Sequence, residues 1–184
     1  MIKYNKLHLG LFCVLTIICI SCESNILDKN IKDFVSTPIQ IPIDKMEHKI
    51  CSLFPDTVQT GKHYRIVNYI ENQQCTDCVM SYYSNIENDK QYADIMKCVS
   101  MVYIIEVDSL TKERVCADLI KERIKGQVYL DTCSSFITLN PKVAESQLFH
   151  TFVLNDSNKI VLLGDPFKNE QMVHLLRERI TNVR

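Results

Sequence analysis

Two cysteines separated by two residues, Cys75 and Cys78, stand between a strand-like segment and a helix-like segment. The preceding run, Tyr64-Arg-Ile-Val-Asn-Tyr-Ile, is rich in the β-branched and aromatic residues that favour strands. From Thr76 to about Lys90 there is no Gly or Pro, and apolar residues recur at helical spacing, at Val79, Tyr82, Tyr83 and Ile86. The order predicts a fold in which a buried strand leads into a cysteine pair at the beginning of a helix.

This position favours nucleophilic chemistry by one of the two sulfurs. The free N–H groups and the dipole of a helix N-terminus stabilise a thiolate, and such sites lower a cysteine pKa from about 8.5 to roughly 3.5–7.5. We therefore interpret Cys75 as the catalytic nucleophile and Cys78 as the cysteine that resolves the mixed disulfide. Asp77 opposes this effect, because a carboxylate close to the pair disfavours a thiolate.

Other kinds of site also use a Cys-x-x-Cys spacing. A structural zinc site normally needs a second pair of cysteine or histidine ligands beside the first. A purely structural disulfide satisfies the same spacing. The residues alone thus favour redox chemistry and leave a structural disulfide or a metal site as alternatives.

The rest of the chain alternates strand-like and helix-like segments. Strands are predicted at residues 49–54, 62–70, 99–107, 127–131, 149–154 and 159–164. After the helix at the cysteine pair, one helix is predicted to begin near Asp108, Ser109 or Thr111 and to end before Gly126, and another covers residues 169–182. Alternation of this kind predicts an α/β fold with a central, mostly parallel sheet flanked by helices, to which the last hairpin adds antiparallel strands.

The chain resembles the thioredoxin-like superfamily, and within it the redoxin or TlpA-like lipoproteins of Gram-negative envelopes. The resemblance covers residues 50–182 and is carried by the segment from Tyr64 to Cys78 and by the hairpin from Phe149 to Pro166. It implies a thioredoxin-like fold with a central mixed sheet and an N-terminal strand extension. It also implies thiol–disulfide oxidoreductase activity without an organic cofactor, with protein or small-molecule disulfides and thiols as partners, and a membrane redox partner is compatible with it.

The chain departs from thioredoxins around the pair. Gln74 stands where thioredoxins carry Trp, Thr76-Asp77 replaces Gly-Pro, and His150 aligns with the cis-proline that faces the cysteines. A neutral His150 could accept the Cys75 proton, and a cationic one would favour the thiolate. His150 could also complete a Cys75, Cys78, His150 metal site like that of thioredoxin-like copper-delivery proteins. A partly exposed histidine between a loop and a strand is the remaining interpretation.

The N-terminus has the layout of a secretory signal. Basic residues are followed by an apolar stretch from Leu7 to Ile20 that is shorter than the roughly 20 residues of a membrane span. Cys19-Ile-Ser-Cys22 resembles a lipobox, with Cys19 where Leu is usual, so Cys22 is the predicted lipidation site. An ordinary signal peptide is the alternative. We expect residues 1–21 to be a signal peptide, 22–45 a tether and 46–184 one thioredoxin-like domain, anchored in the cell envelope on the periplasmic face or in the outer membrane.

Charge and cysteine content narrow the function further. Of 21 basic residues, Lys3 and Lys6 leave with the signal, so 19 face 22 acidic ones, a net charge of −3 that does not favour nucleic acid. Once the signal, Cys22 and the pair are set aside, four cysteines remain: Cys51, Cys98, Cys116 and Cys133. Cys98 and Cys116 lie in apolar patterns typical of small core residues. Cys133 is a core or surface residue, or an additional resolving thiol.

Overall fold

The computed structural model describes residues 28–49, 62–72 and 74–181, and the chain divides into two units, Met1–Thr37 and Pro38–Arg184. In the first unit, residues 28–36 are helical, whereas the sequence predicts an extended tether. That prediction rested on Pro38 and Pro42, which both lie after the helix. The predicted signal sequence, Cys22 and Cys51 lie outside the described residues. Among the residues described, no helix combines the length and the apolar character that a membrane span requires.

The second unit begins at Pro38. The backbone N–H of Gln40 donates to Asn140 Oδ1 at 3.0 Å, and Asn140 Nδ2 donates to the Gln40 carbonyl at 2.7 Å. These bonds join the segment after Pro38 to the rest of this unit. The limits at residues 21 and 45 stay a prediction.

A six-stranded sheet is the centre of the second unit. Its strands are β1 (Glu47–Lys49), β2 (Tyr64–Ile70), β3 (Val99–Glu106), β4 (Gln127–Asp131), β5 (Thr151–Asn155) and β6 (Ile160–Leu163). They follow the order β1-β4-β3-β2-β5-β6. β2, β3 and β4 are parallel, and the other neighbours are antiparallel. The strand that leads into the cysteine pair therefore lies inside the sheet, and β1 is the N-terminal strand on one edge.

The described part of this unit contains five α-helices. They are α1 (Thr76–Asn88), α2 (Ala93–Cys98), α3 (Lys112–Glu122), α4 (Ser135–Leu139) and α5 (Glu170–Thr181). α3 ends earlier than its apolar pattern predicts, because Arg123 adopts a left-handed conformation with φ 53°. α2, α4 and the 3₁₀ turns at Pro141–Glu145 and Gln147–Phe149 are not predicted from the sequence. The strand predicted at residues 49–54 lies almost entirely outside the described residues, and the other predicted strands and helices are present.

The side chains of β2 point alternately to the two faces of the sheet, and their contacts show which helices cover each face. Ile66 and Ile70 point to one face and belong to the same core as residues of α1, α2, α3 and α5. Tyr69 points to the other face, where its ring lies 5.5 Å from the ring of Phe136 on α4. Helices therefore cover both faces of a mixed sheet, which confirms the predicted α/β fold class with a central mixed sheet flanked by helices.

Candidate functional site

Cys75 and Cys78 form a disulfide at the beginning of α1. Their Cα atoms are 5.4 Å apart, and both residues are exposed. Cys75 is the N-cap residue, and its sulfur accepts a hydrogen bond from the Cys78 N–H at 3.3 Å. The sequence predicts this location, and it brings the Cys75 sulfur to unpaired helical N–H groups. A thiolate formed there on reduction is stabilised by the helix end.

The carboxylate of Asp77 has a cationic partner that the sequence analysis missed. Lys121 Nζ, on α3, lies 3.2 Å from Asp77 Oδ1. This contact raises the pKa of Lys121, which keeps the ammonium charged. Asp77 therefore does not present an isolated negative charge to the cysteine pair. Only the packing of α3 beside α1 reveals this, since the two residues are 44 positions apart.

His150 is buried, so its interpretation as a partly exposed histidine is wrong. Its side chain is 8% exposed, and its Nε2 lies 3.4 Å from Glu71 Oε1. Gln74 Nε2 lies 3.3 Å from Nδ1, and since an amide N–H donates, Nδ1 accepts and Nε2 carries the proton. Burial lowers the pKa of His150, while Glu71 and the backbone of Val143 act in the opposite direction. A neutral imidazole follows, which favours the role of proton acceptor over that of cation.

His150 and Cys78 line one groove, which we call the Cys78 groove. It has a volume of about 360 Å³. The residues that matter for its chemistry are Asn68, Cys78, Tyr82, Tyr83, His150, Thr151 and Asp165. Tyr82 donates its hydroxyl proton to Asp165 Oδ2 at 2.9 Å, and burial is the main cause that raises the pKa of Tyr82. One wall of the groove is thus aromatic and the other polar.

The segment at His150 differs from a thioredoxin active site in its backbone. The residues described contain no cis peptide bond. The His150 carbonyl instead accepts a hydrogen bond from the Tyr69 N–H at 2.8 Å, which extends the β2–β5 pairing by one step. The His150 ring meets the Tyr69 ring edge-on, with centroids 5.2 Å apart. His150, which the resemblance aligns with the cis-proline of thioredoxins, thus has a buried imidazole.

A second polar network lies at the same end of the sheet, on the face of Tyr69. The Tyr69 hydroxyl donates to Glu106 Oε2 at 2.9 Å, and the Ser134 hydroxyl donates to Glu106 Oε1. Burial and the Glu106 carboxylate both raise the pKa of Tyr69. This network links the ends of β2, β3 and β4 and fixes the edge at which the cysteine pair stands.

Metal binding receives no support from the part of the chain that is described. It contains no group of three His, Cys, Asp or Glu side chains placed to hold a metal ion. The alternative site of Cys75, Cys78 and His150 is accordingly not proposed further. Cys98 is exposed, so its assignment to the core is wrong, whereas Cys116 is partly buried against the core. Cys133 is an exposed free thiol after β4.

The sequence analysis also overlooked Asn68. It is 1% exposed in the middle of β2, and its Nδ2 has no hydrogen-bond partner among the described residues. An unpaired buried donor costs about 1–3 kcal/mol, so it needs an explanation. The available signal was one amide inside the apolar run Ile-Val-Asn-Tyr-Ile, seven positions before Cys75.

Comparisons with known proteins find no matching family model and no matching curated protein. Among solved structures, the chain is similar to an uncharacterized thioredoxin-like protein from Porphyromonas gingivalis (TM-score 0.47, 15% identity, 68% of this chain and 80% of that chain). It is also similar to the thioredoxin domain of a thiol-disulfide oxidoreductase from Bacteroides vulgatus (0.47, 14%, 67% and 82%). A third is a thiol-disulfide oxidoreductase from Bacteroides fragilis (0.44, 15%, 64% and 81%). All three TM-scores are below 0.5, so the chemistry of the site is argued from its own residues.

Proposed function

We propose that this protein is a thiol–disulfide oxidoreductase, anchored to a membrane of the cell envelope through Cys22. The observation that carries the proposal is an exposed Cys75–Cys78 disulfide whose first sulfur caps a helix. Exposure matters because exchange requires in-line access of a partner's sulfur to the bond. A disulfide with a purely structural role has no need of such access.

The proposed reaction moves two electrons between dithiols and disulfides. The reduced Cys75 thiolate attacks a partner disulfide, so that a Cys75–partner bond forms and the first partner thiolate leaves. Cys78 then loses its proton and attacks the Cys75 sulfur, which closes the internal disulfide and releases the second partner thiolate. The protein is oxidised and the partner reduced by two electrons, and the reverse sequence oxidises a partner dithiol.

We assign His150 as the proton acceptor for the cysteine pair, through Nδ1 once Gln74 Nε2 has moved away from it. Its location in the Cys78 groove and its neutral state support this role. Asp77 influences the same thiolates, and Lys121 limits that influence. The partners we propose are protein or small-molecule disulfides and thiols, with a membrane redox protein as a further candidate.

Trapping of the mixed disulfide tests the catalytic proposal. With a generic protein disulfide as substrate, we expect Cys75→Ser to abolish reduction and Cys78→Ser to accumulate a mixed disulfide at Cys75. Cys133→Ser, which removes an exposed thiol outside the pair, is the matched control and should retain activity. The unmutated domain should show a reduction potential between about −270 and −120 mV. Full activity in Cys75→Ser would refute the proposal.

Membrane anchoring needs a separate experiment, because it rests on residues 1–22. We expect metabolic labelling with a fatty acid to mark the unmutated protein and not Cys22→Ala. Lipid on the protein should also keep it in the membrane fraction. An unlabelled, freely released protein would favour the ordinary signal peptide.

A further inference from the structure

The unpaired amide of Asn68 is held in one orientation. Asn68 Oδ1 accepts a hydrogen bond from Thr151 Oγ1 at 3.1 Å, across the β2–β5 pairing that places the two residues opposite each other. One end of the amide is thereby engaged, and Nδ2 points away from Thr151. The accessible surface of this nitrogen is below 1 Å² in the disulfide form.

Asn68 lies beneath the helix that carries Cys78. Side chains two positions apart in a strand share a face, so Asn68 points to the same side as Ile66 and Ile70. Those two residues pack in one core with Met80 and Tyr83 of α1. Asn68 and Cys78 accordingly line the same groove, from the sheet side and from the helix side.

A sulfur in a disulfide is a weak hydrogen-bond acceptor, and the sulfur that reduction releases accepts better, most strongly once it has lost its proton. We propose that Asn68 Nδ2 donates a hydrogen bond to the Cys78 sulfur in the reduced protein. The donor is unpaired in the disulfide form because its acceptor exists only after reduction. Asn68 thereby stabilises the reduced form relative to the disulfide.

A substrate group is a less suitable acceptor. The amide nitrogen is closed to solvent, so a partner peptide would have to displace β2 or α1 to reach it. Cys78, by contrast, already belongs to the groove, and opening the disulfide frees its sulfur to turn inward.

The charged groups around Cys78 make the Asn68 amide important for the stability of a thiolate at this position. Asp165 faces the groove, and Asp77 stands beside the pair, so both carboxylates disfavour a thiolate. Tyr82 and Lys121 engage these carboxylates, and burial disfavours a charge on His150. Tyr83 is the remaining titratable group of the groove, and burial raises its pKa. The Asn68 amide acts against the two carboxylates without adding a charge of its own.

The inference rests on the proposed function only in requiring that the pair passes between its two redox states. The test is the equilibrium with glutathione, in which two glutathione thiols supply two electrons and two protons and become glutathione disulfide. In Asn68→Leu we expect the reduced form to be disfavoured about tenfold, a reduction potential about 30 mV more negative. Asn88→Leu is the matched control, because Asn88 Nδ2 already donates to the Ser84 carbonyl at the other end of α1. Its potential should not change.

Unfolding of the two redox forms separates this role from packing. We expect Asn68→Leu to leave the disulfide form at least as stable as the unmutated protein and to destabilise the reduced form selectively. Asn68→Val, with a residue that favours strands, repeats the test if the leucine variant does not fold. An unchanged potential in the folded variants overturns the inference. If the unmutated pair does not exchange with glutathione, the proposed function fails, and the unfolding comparison on chemically reduced and oxidised protein still decides the role of Asn68.

Discussion

Lys121 Nζ on α3 lies 3.2 Å from Oδ1 of Asp77, the residue that stands between the two cysteines in the sequence. Both side chains are largely exposed, at 65% and 47%. The contact places a positive charge beside the one carboxylate that the Cys-x-x-Cys segment itself contains. The charges around the pair therefore include one from a different helix.

We expect Lys121→Ala to slow the reaction of the reduced Cys75 with an alkylating reagent by about twofold to threefold at neutral pH and low salt. The uncompensated Asp77 charge then lowers the thiolate fraction. Asp77→Asn in the same chain should restore the rate, and added salt should shrink the difference. A rate in Lys121→Ala equal to that of the unmutated protein at low salt would show that the ion pair has no effect on the cysteines.

The disulfide should contribute little to the stability of the fold. It closes a loop of only four residues, and the entropy removed from an unfolded chain by so short a loop corresponds to about 2 kcal/mol. We expect chemical denaturation of the reduced protein, and of Cys75→Ser, to show a loss of about that size or less. A loss well above it, with unfolding on reduction, would instead favour a structural disulfide.

Much of the fold is predictable from the sequence, because long apolar patterns report burial directly. β2, β3 and α1 carry unbroken apolar or helical periodicity, and the structure contains each of them within a few residues of its predicted limits. α4 has only five residues, too few for a periodic pattern. The position of α4 depends on Asp131, whose carboxylate accepts a hydrogen bond from the Phe136 N–H. This contact forms only because β4 ends beside α4, so the sequence alone does not reveal it.

The site is predictable where its residues are neighbours in the sequence. Cys75, Cys78 and the helix N-terminus follow from local spacing. The contacts of Asp77 with Lys121 and of Asn68 with Thr151 span 44 and 83 positions, so only the packed chain reveals them. His150 was predicted near the pair from a resemblance, but its neutral state depends on burial in the surrounding core, and its contacts with Glu71 and Gln74 are visible only in the structure.

Acid should destabilise the protein through His150. Burial places the folded-state pKa of His150 below its ordinary value of 6.5, so the unfolded chain binds this proton more tightly. The free energy of unfolding therefore falls as the pH drops through 6.5 and levels off only below the folded-state pKa. We expect urea denaturation from about pH 8 to about pH 5 to show a smaller loss of stability in His150→Gln than in the unmutated protein.

A matched control for this experiment is His174→Gln, which changes a side chain that is 73% exposed. Its loss of stability on acidification should follow that of the unmutated protein. If His150→Gln shows the same slope as both, His150 does not bind protons differently in the folded and unfolded chains. Its proposed role as a neutral proton acceptor would then lose its support.

Asp131, the last residue of β4, should be important for the segment that contains Cys133. Its carboxylate is 1% exposed and accepts from the Ser135 N–H at 2.9 Å and the Phe136 N–H at 2.7 Å. We expect Asp131→Ala to lower the free energy of unfolding by about 2–3 kcal/mol, because it leaves buried donors unpaired. Asp131→Asn keeps one acceptor oxygen and should cost less. Equal losses in the two variants would contradict the capping role.

Gly126 should tolerate no side chain, for a reason different from the helix end that its position in the sequence predicts. A Cβ there would lie 2.6 Å from Tyr103 Cε2 and 2.7 Å from Met101 Cβ, both on the central strand β3. We expect Gly126→Ala to cost about 1–3 kcal/mol in urea denaturation, since β3 and β4 would have to separate. Gly164→Ala is an informative comparison: its nearest neighbour is 3.8 Å away, but its φ of 92° strains any side chain, so we expect a loss of about 1 kcal/mol. A Gly126→Ala variant as stable as the unmutated protein would mean that β4 can shift away from β3 without loss.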